Sequence, residues 1–314
     1  MTSNSERIQR PFFLDTAAFG VLPSAGPELL IGLDIDGTLL RHDTSLSERV
    51  ARAYRAHIDA GTHIMLVTGR GIAGTQVALR QLDVYSGYAV CSNGAILIHV
   101  GELPLNDAGI PVDPFFGEVQ PAHEDVCEGL PPVQIIRTHT FDPSETIDAL
   151  VGEIPEAMLA VESVTEPRRL TAEFPPGELS GKSQIVDAKE LAVSSTTRLT
   201  VRVPSMSSQE LLACVESLGL RGIEYAVGWS AWLDVAPEGI SKAAGLEFMR
   251  TAFGVDPAHT VAVGDSGNDC EMLAWAELGI AMGNSLDYVQ KFASAVTDDV
   301  DSDGAAAVLE AFLK

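Results

Sequence analysis

Apolar residues in the first hundred positions fall into short solid runs. Leu29-Leu30-Ile31-Gly32-Leu33 is the first, and His63 to Val67 and Tyr88 to Cys91 repeat it. Such runs, bounded by turn residues, predict strands buried on both faces, as in a parallel sheet. Helical spacing fills the gaps. Ser45 and Glu48 form a capping-box pattern that predicts a helix through about Ala60, and a second helix is expected from Arg70 to about Leu82. The rhythm breaks from about Ile96 to Asp234, where paired prolines and alternating runs such as Arg198 to Val203 replace it. It resumes at Ser241, a good N-cap for a helix to about Phe253, followed by strands at Thr260 to Val263 and Leu278 to Ala281 and a helix from Gly304 to Leu313.

The expectation is an α/β fold whose parallel-sheet core is interrupted by an α+β insertion. Residues 1–27 read as an extension, 28–96 as the first part of the core, 97–234 as the insertion and 235–314 as the second part of the core. Composition narrows the functional classes. With 44 acidic against 20 basic residues the net charge is −24, which argues against nucleic acid or an anionic membrane as partner. The five lysines are scattered, and no apolar run reaches the roughly 20 residues that span a bilayer. Cys91, Cys127, Cys214 and Cys270 show neither CxxC nor Cys/His spacing, so no zinc site or disulfide framework is expected. A soluble cytoplasmic protein is expected.

Two motifs are decoys. Gly69-Arg70-Gly71-Ile72-Ala73-Gly74 matches GxGxxG, but the next strand ends Cys91-Ser92-Asn93 without the acid that would hold a ribose. Gly177 to Ser183 resembles a P-loop but is one residue short, with Pro176 where the first glycine is needed.

The acidic residues carry more. Asp34 and Asp36 follow one buried strand and Asp265 and Asp269 follow another, both in glycine-containing turns. Ligands of open parallel sheets bind at such strand ends. Four carboxylates brought to one sheet edge would repel one another unless a cation sat among them. An all-oxygen donor set suits Mg²⁺. Thr68 and Lys242 add a hydroxyl and a cation suited to phosphoryl oxygens.

Asp34-Ile35-Asp36-Gly37-Thr38-Leu39, Thr68-Gly69-Arg70, Lys242 and Gly264-Asp265-Ser266-Gly267-Asn268-Asp269 together resemble the four ordered motifs of the haloacid dehalogenase (HAD) superfamily. Ser92 to Ala95 and the stretch through Glu271-Met272-Leu273 are similar to its Cof-type, subclass IIB phosphatases. The resemblance implies a Rossmann-like core with an inserted cap of the C2B type, and covers about half of the chain. It also implies roles. Asp34 is then the nucleophile that forms an aspartyl-phosphate, and Asp36 the general acid and base. Thr68, Gly69, Lys242 and Asn268 hold the phosphate. Asp34, Asp36 through its backbone carbonyl, and Asp265 bind Mg²⁺. Asp269 is either a ligand through water or the partner that orients Lys242. Arg70 either supports the site or pairs with a core carboxylate. Asn93-Gly94 reads as a turn before the insertion rather than a pair of ligands.

The implied activity is Mg²⁺-dependent hydrolysis of small phosphate esters, sugar phosphates above all. A phosphosugar mutase of the phosphomannomutase type and a non-catalytic binding protein on the same fold are the alternatives. The cap is unmatched, so its specificity residues stay open. Trp229, Trp232, Arg168, Arg169 and Arg202 are candidates, with packing or surface roles as the alternative for each. Oligomeric state is left open.

Overall fold

The computed structural model describes residues 22–122, 129–175, 178–179, 181–218, 223–227 and 232–313. Most of the expected 1–27 extension and of the Trp229 segment lies outside those residues, as do Gly177 and Ser180 of the P-loop-like stretch.

The expected strands form. β1 (Leu30–Leu33) is buried along its whole length and lies between β2 (His63–Val67) and the strand Thr260–Gly264, parallel to both. β3 (Gly87–Cys91) extends the parallel set beyond β2, and Leu278–Ala281 and Ala295–Val296 extend it on the other side. The chain therefore runs outward from β1 in one direction, returns after the insertion, and continues from β1 in the other. The switch point lies between β1 and Thr260–Gly264, where an open parallel sheet offers a crevice at its carboxyl ends. Asp34 and Asp265 are the first residues beyond those two strands. This is the link from topology to site.

Both faces of the sheet are covered. Ile31, Leu33, Leu66 and Ile280 pack on one side with Tyr54, Leu309 and Phe312, and Leu30, Met65, Val67 and Ala262 on the other with Leu246, Met249 and Leu273. The cap of helix α1 (Glu48–Asp59) lies two residues later than expected: Ser47, not Ser45, accepts the Arg49 and Val50 amides. The reason is local. Leu46 bridges back to Leu40, which holds residues 40–46 in a small loop and delays the helix.

The large sheet does not end at the expected division between 96 and 97. β4 (Ile96–Val100), Val133–Thr138 and Gln120–Pro121 join it beyond β3 as antiparallel strands, giving nine in all. A separate six-stranded sheet is built from residues 158–237, in the order 183–185, 168–170, 158–163, 196–202, 232–237, 223–227. Its strands alternate. Leu159, Val161, Leu199, Val201, Leu233 and Val235 share one face and form a core with Ile147, Leu150, Leu211 and Val215 of two covering helices. Glu162, Arg198, Thr200 and Asp234 occupy the other face, and all four are buried.

The turn from β3 to β4 is tight. Ser92, Asn93 and Gly94 all have positive φ, and a Cβ on Gly94 (φ +102°) would stand 2.2 Å from the Ser241 carbonyl oxygen. Ser241 is the N-cap of the helix Lys242–Phe253 and accepts the Ala244 amide. Gly94→Ala is therefore expected to cost about 2 kcal/mol or more through backbone strain and displacement of that cap. Thermal denaturation should show a fall of roughly 5 °C; an unchanged Tm would refute the close approach.

Candidate active site

Lys242 is the first residue of its helix and is 0% exposed. Its Nζ donates to Asp34 Oδ1 and Asp269 Oδ1, each at 2.6 Å. Burial alone would pull the ammonium down in pKa. Asp269 and Asp34 outweigh that penalty and hold it above its ordinary value. Asp269 uses its second oxygen on the amides of Asp265 and Ser266, both at 2.9 Å. Both of its oxygens are thus engaged. Of its two expected roles, the contacts seen are those of the partner that orients Lys242.

Asp34, Asp265 and Asp269 are all buried, and each can offer an oxygen within 4.8 Å of the others. Burial raises the Asp34 carboxyl, against the pull of Lys242. Burial raises Asp265 further, and the charges of Asp34 and Asp269 add to it. Among the described residues Asp265 receives only the Thr38 hydroxyl (3.2 Å) and the Asn284 amide (3.3 Å), while Asn284 also holds the Gly37 carbonyl at 2.9 Å. Gly37 itself (φ +82°) sits so close that a Cβ would lie 2.4 Å from Asp265 Oδ2. The pocket is a set of hard, crowded, under-neutralised oxygens, and its donor chemistry fits a small divalent cation.

Asp36 does not join the cluster. Of the four carboxylates expected at the sheet edge, three meet. The Asp36 carboxylate is half exposed and takes the Arg70 guanidinium in a bidentate pair, 2.7 and 2.5 Å. β1 ends at Leu33, so the two-residue period that would put Asp34 and Asp36 on one face no longer holds. Arg70 is accordingly a partner of Asp36.

Thr68 is buried at the end of β2, and its hydroxyl accepts the Arg70 amide at 3.0 Å. Gly69 lies against Asn93 and Asn268, with no room for a Cβ unless Asn93 gives way. Asn268 donates to Asn93 Oδ1 (3.0 Å) and accepts the Ser266 hydroxyl (2.5 Å). The GxGxxG resemblance has a packing explanation, because Glu162 fills the space beside Gly71 and Arg70 the space beside Gly74.

Several buried residues at this edge were not singled out from the sequence. Asp234 accepts Asn93 Nδ2 at 3.2 Å, Thr200 Oγ1 at 2.9 Å, Trp232 Nε1 at 3.0 Å and Arg198 Nη1 at 3.2 Å. Arg198 also donates to the Gly69 carbonyl and pairs with Glu162, which in turn holds Arg168. The signal available was charge at alternate positions of strands whose other positions are apolar. Asn284 had no comparable signal. Arg169 pairs with Glu166 and Arg202 with Glu178. A cavity of about 90 Å³ opens beside this network, with Gly71, Ile72, Glu162, Arg168 and Lys182 among its walls. Its lining includes none of Asp34, Asp265 or Lys242.

A family model described as haloacid dehalogenase-like hydrolase matches residues 31–117 and 180–309, both parts of the core and much of the insertion. The chain belongs to that family. It is 27% identical over 296 residues to the 5-amino-6-(5-phospho-D-ribitylamino)uracil phosphatase YitU of Bacillus subtilis (strain 168), covering 90% of this chain and 97% of the relative. It is 26% identical over 280 residues to the pyridoxal phosphate phosphatase YbhA of Escherichia coli (strain K12), covering 88% and 96%. Its fold is similar to that of the HAD subclass IIB sugar phosphatase BT4131, with a TM-score of 0.69 and 21% identity over 90% of this chain and 98% of that one. The resemblance noted from the motifs holds, and so do the fold class and the expectation of a phosphatase. Among the described residues, no helix is long and apolar enough to cross a membrane.

The Glu162 cluster makes a pH prediction. Burial would raise this carboxyl, but Arg198 and Arg168 outweigh that and bring it from an ordinary 4.5 down to about 2. A carboxyl depressed in the folded state stabilises fully above its unfolded pKa and loses that contribution as pH falls toward the folded one. Glu162→Gln should be less stable than the parent by on the order of 3 kcal/mol at pH 7. The difference should shrink between about pH 4.5 and 2, read by chemical denaturation across pH. A pH-independent difference would exclude the ion cluster as its cause.

Proposed function

We propose that this HAD-like phosphatase is a Mg²⁺-dependent phosphomonoester hydrolase acting through an aspartyl-phosphate on Asp34, with sugar phosphates among its small substrates. The observation that carries the reading is the buried Lys242 held between Asp34 and Asp269, beside Asp265, at the switch point of the sheet. Relatives named as phosphatases of a phosphoribitylamino-uracil and of pyridoxal phosphate support small phosphorylated metabolites as the substrate class.

Asp34, the backbone carbonyl of Asp36 and Asp265 would hold the ion. When bound, it supplies the positive charge that lets an anionic carboxylate and an anionic phosphoryl group approach. Lys242 and the Thr68 hydroxyl hold phosphoryl oxygens, with the Asn268 amide beside them. Thr68 has accepted the Arg70 amide and keeps its own proton to donate. One oxygen of Asp34 is engaged by Lys242, and the other carries no hydrogen bond among the described residues. That second oxygen attacks phosphorus while the bond from phosphorus to the ester oxygen breaks. Asp36, released from Arg70, protonated from solvent and turned into the cleft, gives that proton to the departing oxygen. Its carboxylate then takes a proton from water. The water oxygen bonds to phosphorus, the Asp34–phosphorus bond breaks, and inorganic phosphate leaves with both carboxyl groups restored.

Asp34→Asn should lower phosphate release from an aryl phosphate by roughly three orders of magnitude or more. A chelator should abolish wild-type turnover, and Mg²⁺ but not Ca²⁺ should restore it, because Ca²⁺ accepts longer and more numerous contacts. Turnover without a bisphosphate activator separates hydrolysis from mutase chemistry. Retained turnover in Asp34→Asn would refute the covalent route.

Asp36→Asn tests the proton transfer separately. Its first step should suffer less with an aryl phosphate, whose leaving group needs little help, than with a sugar phosphate. Rapid-quench measurement of phosphoenzyme formation reads this, and equal losses on both substrates would exclude the acid role.

A further inference from the structure

The inserted sheet turns its polar face toward the core loops, and two of its side chains end on those loops. Arg198 is 4% exposed and donates to the Gly69 carbonyl. Asp234 is 5% exposed and accepts the Asn93 amide. Neither belongs to the four motifs.

A trans peptide is planar, with its carbonyl and its N–H pointing opposite ways. The Gly69–Arg70 peptide is held at both ends: Arg198 takes its carbonyl from one side, and Thr68 Oγ1 accepts its N–H on the other at 3.0 Å. Fixing the plane from the inserted sheet therefore fixes where the Thr68 hydroxyl can send its own proton. The second arm works by amide polarity. Asp234 can only accept, so it draws the Asn93 NH₂ toward itself and turns Asn93 Oδ1 to Asn268. Asn268 must then present its NH₂, and its own oxygen accepts the Ser266 hydroxyl. Asn93 holds a positive φ of 53° in the middle of this relay, strain of the kind that collects at functional sites. Arg198 and Asp234 are themselves bonded at 3.2 Å, so the two arms share one anchor.

We propose that Arg198 and Asp234 are positioning residues through which the inserted sheet sets both phosphate-binding loops, Arg198 acting on Thr68 through the Gly69–Arg70 peptide and Asp234 acting on Asn268 through Asn93. The proposal rests on the reading of this edge as a phosphoryl-binding site.

The test compares the full-length parent with Arg198→Lys, Asp234→Asn and Asn93→Gly. Lysine keeps the charge but cannot reach Glu162, Asp234 and the Gly69 carbonyl together. Glycine keeps the positive φ and removes the relay. For an aryl phosphate, KM and the inhibition constant of inorganic phosphate should rise about tenfold in each variant. kcat should stay within about threefold and the Mg²⁺ activation constant should not move. Amide exchange should be at least tenfold faster at Arg70 in Arg198→Lys, and across residues 92–95 in Asp234→Asn. The Asp234→Asn and Asn93→Gly effects should not add in the double variant, because they cut one relay. A lower Tm with unchanged KM, phosphate inhibition and exchange would overturn the proposal and leave a purely structural role. Should Asp234→Asn not fold, Asn93→Gly decides its arm. If the parent itself neither hydrolyses phosphate esters nor binds phosphate, the functional reading falls, and the exchange data alone decide whether the inserted sheet positions the loops.

Discussion

A lysine with no exposed surface is the constraint around which the site is arranged. Burying an ammonium is costly unless it is paired and hydrogen-bonded. Lys242 meets that condition with two carboxylates at 2.6 Å. The arrangement explains why three acids can share the sheet edge. Asp269 is committed to Lys242 and to two loop amides, Asp34 is half committed, and Asp265 is left, among the described residues, with neutral donors only. One ammonium does not balance three buried carboxylates; burial raises the pKa of Asp34 and Asp265, and the neighbouring carboxylate charges add to it. Stability is thereby given up at the switch point of the sheet, the place where open parallel sheets bind ligands.

Chain topology brings these groups together from positions more than 200 residues apart. Asp34 and Asp265 end neighbouring parallel strands, and Lys242 begins the helix that leads back into the second of them. The insertion leaves from the other side of β1, beyond β3, so the six-stranded sheet can return over the crevice. The turn at Ser92 to Gly94 is where these paths touch. Its Gly94 lies against Ser241, and its Asn93 reaches both Asp234 and Asn268.

Much of this was legible in the residue pattern. Solid apolar runs gave the parallel strands, since a strand covered on both faces has no polar positions to spare. The four motifs marked Asp34, Thr68, Lys242, Asp265 and Asp269 because each follows a strand or opens a helix. Three things were not legible, each for a physical reason. The direction of Asp36 depends on a turn beyond the strand, where alternation gives no guidance. The allegiance of Ile96–Val100 depends on its partner, and an apolar run reads the same in either sheet. The alternation of Arg198-Leu199-Thr200-Val201-Arg202 announced a strand with one polar face. It could not say that this face would be buried on the core loops instead of solvated.

Arg70 shows how tightly the inserted sheet and the chemistry are joined. Its side chain holds the Asp36 carboxylate, its amide N–H is accepted by Thr68, and its carbonyl accepts the Ser92 amide. The peptide that precedes it is gripped by Arg198. One residue therefore touches Asp36, Thr68, the strained turn and, through the preceding peptide, the inserted sheet. A rigid backbone here is compatible with a mobile side chain, because the three backbone contacts do not involve the guanidinium. Asp36 and Arg70 are both partly exposed, and an ion pair in contact with water is weakly held compared with the buried pairs around it. The Asp36 carboxylate can then be released by a side-chain rotation alone, while the backbone around Thr68 and Asn93 stays fixed.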